Sequence, residues 1–229
     1  MNALERPVPG FLGSVAAIEA LAAVDGARVL ALSDTHGHYS VVESVIREFG
    51  PECDALAFAG DGMWDIVQYL ERAYESEKLA SALPPVLAFV SGNGDGEEYR
   101  VGLPEGGDGA KTSPGFAFSV PDRLILTVAG FRIFLAHGHR HSVDVSPEIL
   151  VNVAESLDCD VAVFGHTHMP FHETYSRILA LNPGSPARPR GGSAPSFALV
   201  ELDSTSILPR VRFMTVREGM LGSFHFSQN

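Results

Sequence analysis

Cysteine is nearly absent from this chain, as are long apolar runs and any excess of basic charge. The 229 residues include two cysteines, Cys53 and Cys159. Each precedes an aspartate and then an apolar run (C-D-A-L-A-F and C-D-V-A-V-F), which reads as a buried thiol at a helix-to-strand join. Neither a disulfide framework nor a cysteine metal site fits this number and spacing. No apolar run reaches the roughly 18 residues that a membrane helix needs. Near the N-terminus Glu19 interrupts the apolar stretch from Phe11 to Val24, and a basic leader is missing. A signal peptide is therefore not expected, and a cytoplasmic location is. Lys and Arg total 16 against 28 Asp and Glu, for a formal net charge of −12. Duplex binding relies on basic side chains that neutralise phosphates, so no nucleic-acid surface is expected. A small phosphate ester at a local cationic site is still compatible with that charge.

What is present is a globular composition, 45% hydrophobic and 19% charged, in a length that suits one domain burying most of its apolar surface. Arg28 to Leu32 is a strand-length aliphatic run ending at Ser33-Asp34. A helical pattern follows from Ser40, with apolar residues at 41, 42, 45, 46 and 49, and Gly50-Pro51 stops it. Asp54 to Ala59 is a second strand. Met63 to about Ala82 reads as one long helix, and Val86 to Val90 as the third strand. Strand alternating with helix is the pattern of a parallel sheet with covering helices.

Residues 94–115 hold seven glycines and two prolines and read as a long surface loop. Arg123 to Val128 and Phe131 to Ala136 flank Ala129-Gly130, a hairpin signal. A helix near Ser146 to Leu157 leads to a strand over Asp160 to Phe164. The last third, with Ile178 to Leu181, Ser196 to Leu202 and Ile207 to Val216, is rich in strands and Pro/Gly turns. Two stacked mixed sheets with helices outside accommodate this order. Residues 1–27 read as an N-terminal extension with a short helix that docks or stays loose, and 28–229 as a single domain.

Seven potential metal ligands recur at strand exits. They are Asp34 and His36 in S-D-T-H-G-H, Asp61 in A-G-D-G, Asn93 in S-G-N-G-D, His137 in H-G-H, and His166 and His168 in G-H-T-H. Asp34/His36 and His166/His168 share an i, i+2 spacing, which in an extended segment puts both side chains on one face. A two-metal hydrolytic centre needs a carboxylate shared between the ions, further ligands for each, and an open position for hydroxide. Two divalent ions beside two aspartates and one hydroxide leave a local charge of about +1, enough to draw in an anionic ester.

The ordered set D-x-H, G-D, G-N, H-G-H and G-H-T-H resembles the calcineurin-like metallophosphoesterase superfamily, from about Arg28 to Leu202. The H-G-H-R-H-S-V, G-H-T-H-M-P and N-P-G-S stretches are most similar to its small, stand-alone phosphodiesterase branch of bacteria and archaea. The resemblance implies an α/β fold, a four-layer α/β/β/α sandwich of two mixed β-sheets flanked by helices. It also implies a binuclear phosphoester hydrolase acting on a small-molecule phosphoester. Asp34, His36, Asp61 and His168 would hold one ion, and Asp61, Asn93, His137 and His166 the other, with Asp61 bridging. A hydroxide between the ions would attack phosphorus in line. Asp61, Asn93 and His137 are the catalytic candidates. Manganese is the favoured ion, with iron, zinc or nickel as alternatives that the nitrogen/oxygen ligand set does not separate. Members of this branch often form dimers or tetramers, so a homo-oligomer is an expectation without a number.

His38 and His139 stand beside ligand positions and can touch substrate or orient a ligand. His141, His172, His225 and Arg140 read as loop or surface residues, and Asn182 to Ser185 as a structural turn beside the metal edge. Protein phosphatases of the superfamily place a histidine directly after the metal-binding asparagine, where it protonates the leaving group. This chain has Gly94 there, followed by Asp95. Losing a general acid costs about 10²- to 10⁴-fold in rate, which favours a phosphodiesterase over a phosphomonoesterase or phosphoprotein phosphatase. The rival without catalysis is a scaffold of the same fold, as in the retromer subunit that has lost ligands. A metallo-β-lactamase centre would need an H-x-H-x-D-H run, which the chain lacks.

Overall fold

The computed structural model describes residues 2–102 and 115–228. In chain order they form β1 (Phe11–Leu12), α1 (Val15–Ala23), β2 (Gly26–Leu32), α2 (Tyr39–Phe49), β3 (Ala55–Phe58), α3 (Met63–Glu75), α4 (Glu77–Ala82) and β4 (Val86–Phe89). There follow β5 (Glu98–Val101), β6 (Phe116–Ser119), β7 (Arg123–Val128), β8 (Phe131–Ala136), α5 (Glu148–Ser156) and β9 (Val161–Val163). The chain closes with β10 (Pro170–Tyr175), β11 (Ile178–Pro183), β12 (Ser196–Asp203), β13 (Arg210–Glu218) and β14 (Phe224–Gln228).

The strands build one sheet in the order β1-β4-β3-β2-β12-β13-β14, a second in the order β10-β11-β9-β8-β7, and a separate β5-β6 pair. Both large sheets are mixed. β2, β3 and β4 run parallel, as do β8, β9 and β11, while their outer neighbours run antiparallel. Period-2 alternation sorts the side chains into layers. Leu30 and Leu32 of β2 join Leu56, Phe58, Leu87 and Phe89 under α2 and α3. Val29 and Ala31 face the other way, against Ile133, Leu135, Val161 and Val163 of the second sheet. The outer face of that sheet, with Phe134, Ala162 and Ala180, is covered by Leu150, Val151 and Ala154 of α5. The result is the expected four-layer α/β/β/α sandwich.

The hairpin turn at Ala129-Gly130 forms with φ of 48° and 81°, the double positive φ that a two-residue turn of matching twist requires. Both cysteines are buried and free, immediately before β3 and β9. β1 pairs with β4 at the sheet edge, and α1 packs against β7 with Leu21 buried. No helix among the described residues is long and apolar enough to cross a membrane.

Four sequence expectations are corrected. The single helix over Met63 to Ala82 is two helices, because Ser76 takes an extended conformation and caps α4 by accepting from the Leu79 N–H. Residues 94–115 are not all loop: Tyr99 and Val101 of β5 bury one face against β6, and 103–114 lie outside the described residues. The strand expected from Ile207 begins at Arg210, since a turn in which Ser206 N–H donates to Asp203 O and the following Pro209 delay it. The helix expected from Ser146 begins at Glu148, after Pro147.

Candidate metal centre

Strands β2, β3, β4, β8 and β9 run out at the same end of the sandwich, and the seven candidate ligands stand on the loops just beyond them. Backbone hydrogen bonds lace these loops together. Asp34 N–H donates to Gly60 O (2.9 Å), His36 N–H to Asp61 O (3.1 Å) and Gly165 N–H to His137 O (3.0 Å). The i, i+2 pairs do not reach the site from extended backbone. Asp34, His36, Asp61, His166 and His168 all adopt left-handed φ, at 56°, 47°, 57°, 68° and 59°. Such residues cost on the order of 1–3 kcal/mol each and persist where surroundings over-determine them, typically at functional sites. The kinked residues Asp34, His36, Asp61 and His168 enter shared clusters, whereas the His166 ring meets Asp144. Two glycines admit the close approach: a Cβ at Gly92 would collide with Asp61 Oδ1, and one at Gly165 with Ser33 Oγ and Asp34 Oδ2.

Two clusters result, Asp34/His36/His168 and Asp34/Asp61/His137, each with its ligand atoms within 4.8 Å of one another. His168 Nε2 lies 3.4 Å from Asp34 Oδ1 and 3.1 Å from His36 Nε2. Asp34 belongs to both clusters, and Asp61 Oδ2 of the second lies 3.7 Å from His36 Nε2 of the first and 3.5 Å from His137 Nε2. Asp34 Oδ1 is 3.9 Å from His137 Nε2. His166 is outside both clusters. Its ring lies 5.2 Å from that of His137, and its Nε2 is 2.9 Å from Asp144 Oδ2. Asn93 is exposed on the turn after β4, next to Gly94, whose N–H donates to Asp61 Oδ1 (2.7 Å). His139 sits with its ring 5.5 Å from His137 and 6.1 Å from His166. His38 donates from Nδ1 to the carbonyls of Thr35 and His36 (3.0 and 3.2 Å). His172 and His225 are exposed, and Arg140 pairs with Asp122 at 3.0 Å.

The tautomers follow from the partners. His137 Nδ1 faces Ala59 O and His168 Nδ1 faces Arg188 O, both at 2.6 Å. A carbonyl only accepts, so both rings carry a proton on Nδ1, and in the neutral form each presents a lone pair at Nε2. His166 is reversed: Nε2–H donates to the Asp144 carboxylate, which leaves Nδ1 as the lone-pair nitrogen. His137 Nε2 is buried without a hydrogen-bond partner. A buried polar atom normally finds one, and a cation held with Asp34 and Asp61 would satisfy it. The mix of imidazole nitrogens and carboxylate oxygens suits a divalent transition ion.

Electrostatics divide the two carboxylates. Burial pushes Asp34 up to about 7, against the pull of His137 and the Ser33 hydroxyl. Burial also raises Asp61, but His137 and the Gly94 N–H outweigh it and bring the group down to about 2. Burial lowers His36, His168 and His139, favouring their neutral, ligating form. His137 is raised: burial works against its charge, but Asp61 and Asp34 prevail.

Several bracing residues were not singled out in the sequence. Asp95 accepts backbone N–H bonds from Asp61 (2.6 Å), Gly62 (3.1 Å), Met63 (3.0 Å) and Gly92 (3.0 Å). It thereby caps α3 and fixes the Asp61 loop. Asp65 accepts from Thr35 Oγ1 (2.5 Å) and Gly37 N–H (3.0 Å). The Asn182 to Ser185 turn does structural work, as its sequence suggested. Asn182 Nδ2 donates to Gly165 O (2.7 Å), and Ser185 Oγ to Asp34 O (2.7 Å). Asp95 and Asp144 act across 34 and 22 residues, a range at which local patterns carry no signal.

Comparisons with known proteins agree with this architecture. The chain is 30% identical over 185 residues to the probable metallophosphoesterase YsnB of Bacillus subtilis, covering 80% of this chain and 88% of that protein. It is 28% identical over 186 residues to phosphodiesterase YfcE of Escherichia coli, covering 79% and 91%. Among solved structures, Vacuolar Protein Sorting 29 from Cryptosporidium parvum superposes with a TM-score of 0.60 at 21% identity, over 90% of this chain and 98% of that one, a likeness of fold. Residues 28–205 match the calcineurin-like phosphoesterase superfamily domain, and the chain belongs to that superfamily.

Proposed function

We propose that the protein is a metal-dependent phosphodiesterase acting on small phosphodiesters. The observation that carries this reading is the convergence of Asp34, Asp61, His36, His137 and His168, with His137 Nε2 buried and unpartnered. Asp34, His36 and His168 would hold one divalent ion, and Asn93, His137 and His166 a second, with Asp61 shared. The proximity of Asp61 Oδ2 to both His36 and His137 supports the shared role. When bound, such ions polarise phosphoryl oxygens and supply a hydroxide nucleophile near neutral pH. The protein's own residues set the stage for that chemistry. Ser33 Oγ and the His166 N–H hold the Asp34 carboxylate (2.5 and 3.1 Å to Oδ2), and the Gly94 N–H holds Asp61.

Substrate preference follows from what stands next to Asn93. Gly94 carries no side chain to protonate a departing alkoxide, and Asp95 is occupied by its four backbone donors. A leaving group of low pKa departs without such help, whereas an alkoxide does not. The name of phosphodiesterase YfcE points in the same direction, while that of YsnB gives only the phosphoesterase class. Under manganese, bis(4-nitrophenyl) phosphate is expected to turn over faster than alkyl monophosphates. Faster alkyl monoester turnover would sink the diesterase reading. A purified protein that binds no metal and cleaves no diester would favour the scaffold reading.

A further inference from the structure

The segment from Pro186 to Arg190 is pinned to the metal edge at both ends. Ser185 Oγ, which donates to Asp34 O, accepts from the Arg188 N–H (2.8 Å). Arg188 O accepts from His168 Nδ1 (2.6 Å), and the Arg190 N–H donates to His168 O (3.3 Å). Yet the side chains of Arg188 and Arg190 are exposed, and neither has an ion pair or hydrogen bond among the described residues. Other exposed arginines also lack a carboxylate partner among the described residues; what sets Arg188 and Arg190 apart is that their backbone is bonded to Ser185 and His168 at the metal edge.

A cavity of about 210 Å³ adjoins this segment. Val41, Pro186, Ala187, Val216 and Phe224 give it apolar walls, and His38 and Glu218 contribute polar groups. Pro186 and Ala187 of the segment itself line it, as does His38, two residues beyond His36.

We propose that Pro186 to Arg190 is a substrate-recognition segment, in which Arg188 and Arg190 take phosphoryl oxygens and the adjoining cavity takes a planar aromatic arm of the ester. This rests on the phosphoesterase reading of the centre. A guanidinium suits the task because its planar fork binds two oxygens of one phosphoryl group. Pro186 and Pro189 stiffen the segment, which reduces the ordering cost of binding.

The test is calorimetric and needs no turnover. Inorganic phosphate and phenyl phosphate are titrated into the manganese-loaded full chain, its Arg188→Ala/Arg190→Ala double variant and its Ala187→Trp variant, with metal content checked in each. Charge-assisted hydrogen bonds are worth enough that the double variant should bind inorganic phosphate about 10-fold more weakly or worse, with manganese content unchanged. The native chain should prefer phenyl phosphate over phosphate, and Ala187→Trp should erase that preference. Equal phosphate affinity in the double variant, or a phenyl preference that survives Ala187→Trp, would overturn the proposal even in an active diesterase. Absence of diester hydrolysis would sink the diesterase reading and leave these affinities to decide the recognition segment.

Discussion

His166 differs from its neighbours in which nitrogen it commits to the protein. His137 and His168 give Nδ1–H to backbone carbonyls, whereas His166 gives Nε2–H to Asp144. A carboxylate behind an imidazole orients the ring and raises its basicity, and losing one costs about 10- to 100-fold in metal affinity. Asp144→Ala should therefore weaken manganese binding by about that factor, read by calorimetry, with the fold intact because Asp144 is exposed. The pH response belongs to the same scale. The folded-state pKa of Asp34 is about 7, against an ordinary 3.8. Its contribution to the stability of the cation-free protein is fully present below the ordinary value and is lost as pH rises through 7. Asp61, at about 2, stays ionised throughout that window. A cation that holds Asp34 ionised removes the penalty, so the rise in Tm on adding manganese should be larger at pH 8 than at pH 5. A larger rise at pH 5 would contradict the account. All seven candidate ligands were legible as residue types in order. Their supports were not: Asp95 and Asp144 look like any loop aspartate until the fold brings distant loops together.

At the scale of elements, the loop after β3 is fixed less by its own sequence than by one carboxylate arriving from the loop after β4. Asp95 meets the N–H groups of Gly62 and Met63 at the start of α3, where a helix leaves donors unsatisfied and favours negative charge, and it also holds the Asp61 N–H. Asp95→Ala should destabilise the protein by about 2–4 kcal/mol in urea denaturation, since several part-buried donors lose a charged acceptor. Asp95→Asn, which keeps an acceptor oxygen, should recover part of the loss. A change below about 0.5 kcal/mol, the size expected of an ordinary surface substitution, would contradict this role. The same scale explains which strands were legible. β3, β4 and β8 are mostly buried, apolar and bounded by turn residues, and their sequences read as strands. β10 and β14 lie at sheet edges and bury no residue fully, so no long apolar run marks them. β5 was hidden among glycines, and Ser76 split a helix whose apolar pattern runs through the break.

The whole molecule resolves an apparent conflict between its charge and its chemistry. A chain of net charge −12 repels phosphate esters at long range, and screening limits that repulsion to about 8–10 Å at physiological salt. The sandwich gathers five strand ends to one edge, where divalent ions and the unpaired Arg188 and Arg190 would reverse the sign locally. Fold class and reaction class were therefore legible in the order of short motifs, while the proposed recognition segment was not, because the bonds of Arg188 and Arg190 to Ser185 and His168 exist only after folding. The central claim is that Asp61 is shared by two ions in a working hydrolase. Metal content and bis(4-nitrophenyl) phosphate hydrolysis, measured together on the chelator-stripped, manganese-reloaded protein and its Asp61→Asn variant, test it most directly. The account predicts close to two manganese ions per native chain with diester turnover, and loss of both in Asp61→Asn. A native chain that takes up no manganese, or an Asp61→Asn variant that keeps both its metal and its turnover, would contradict it.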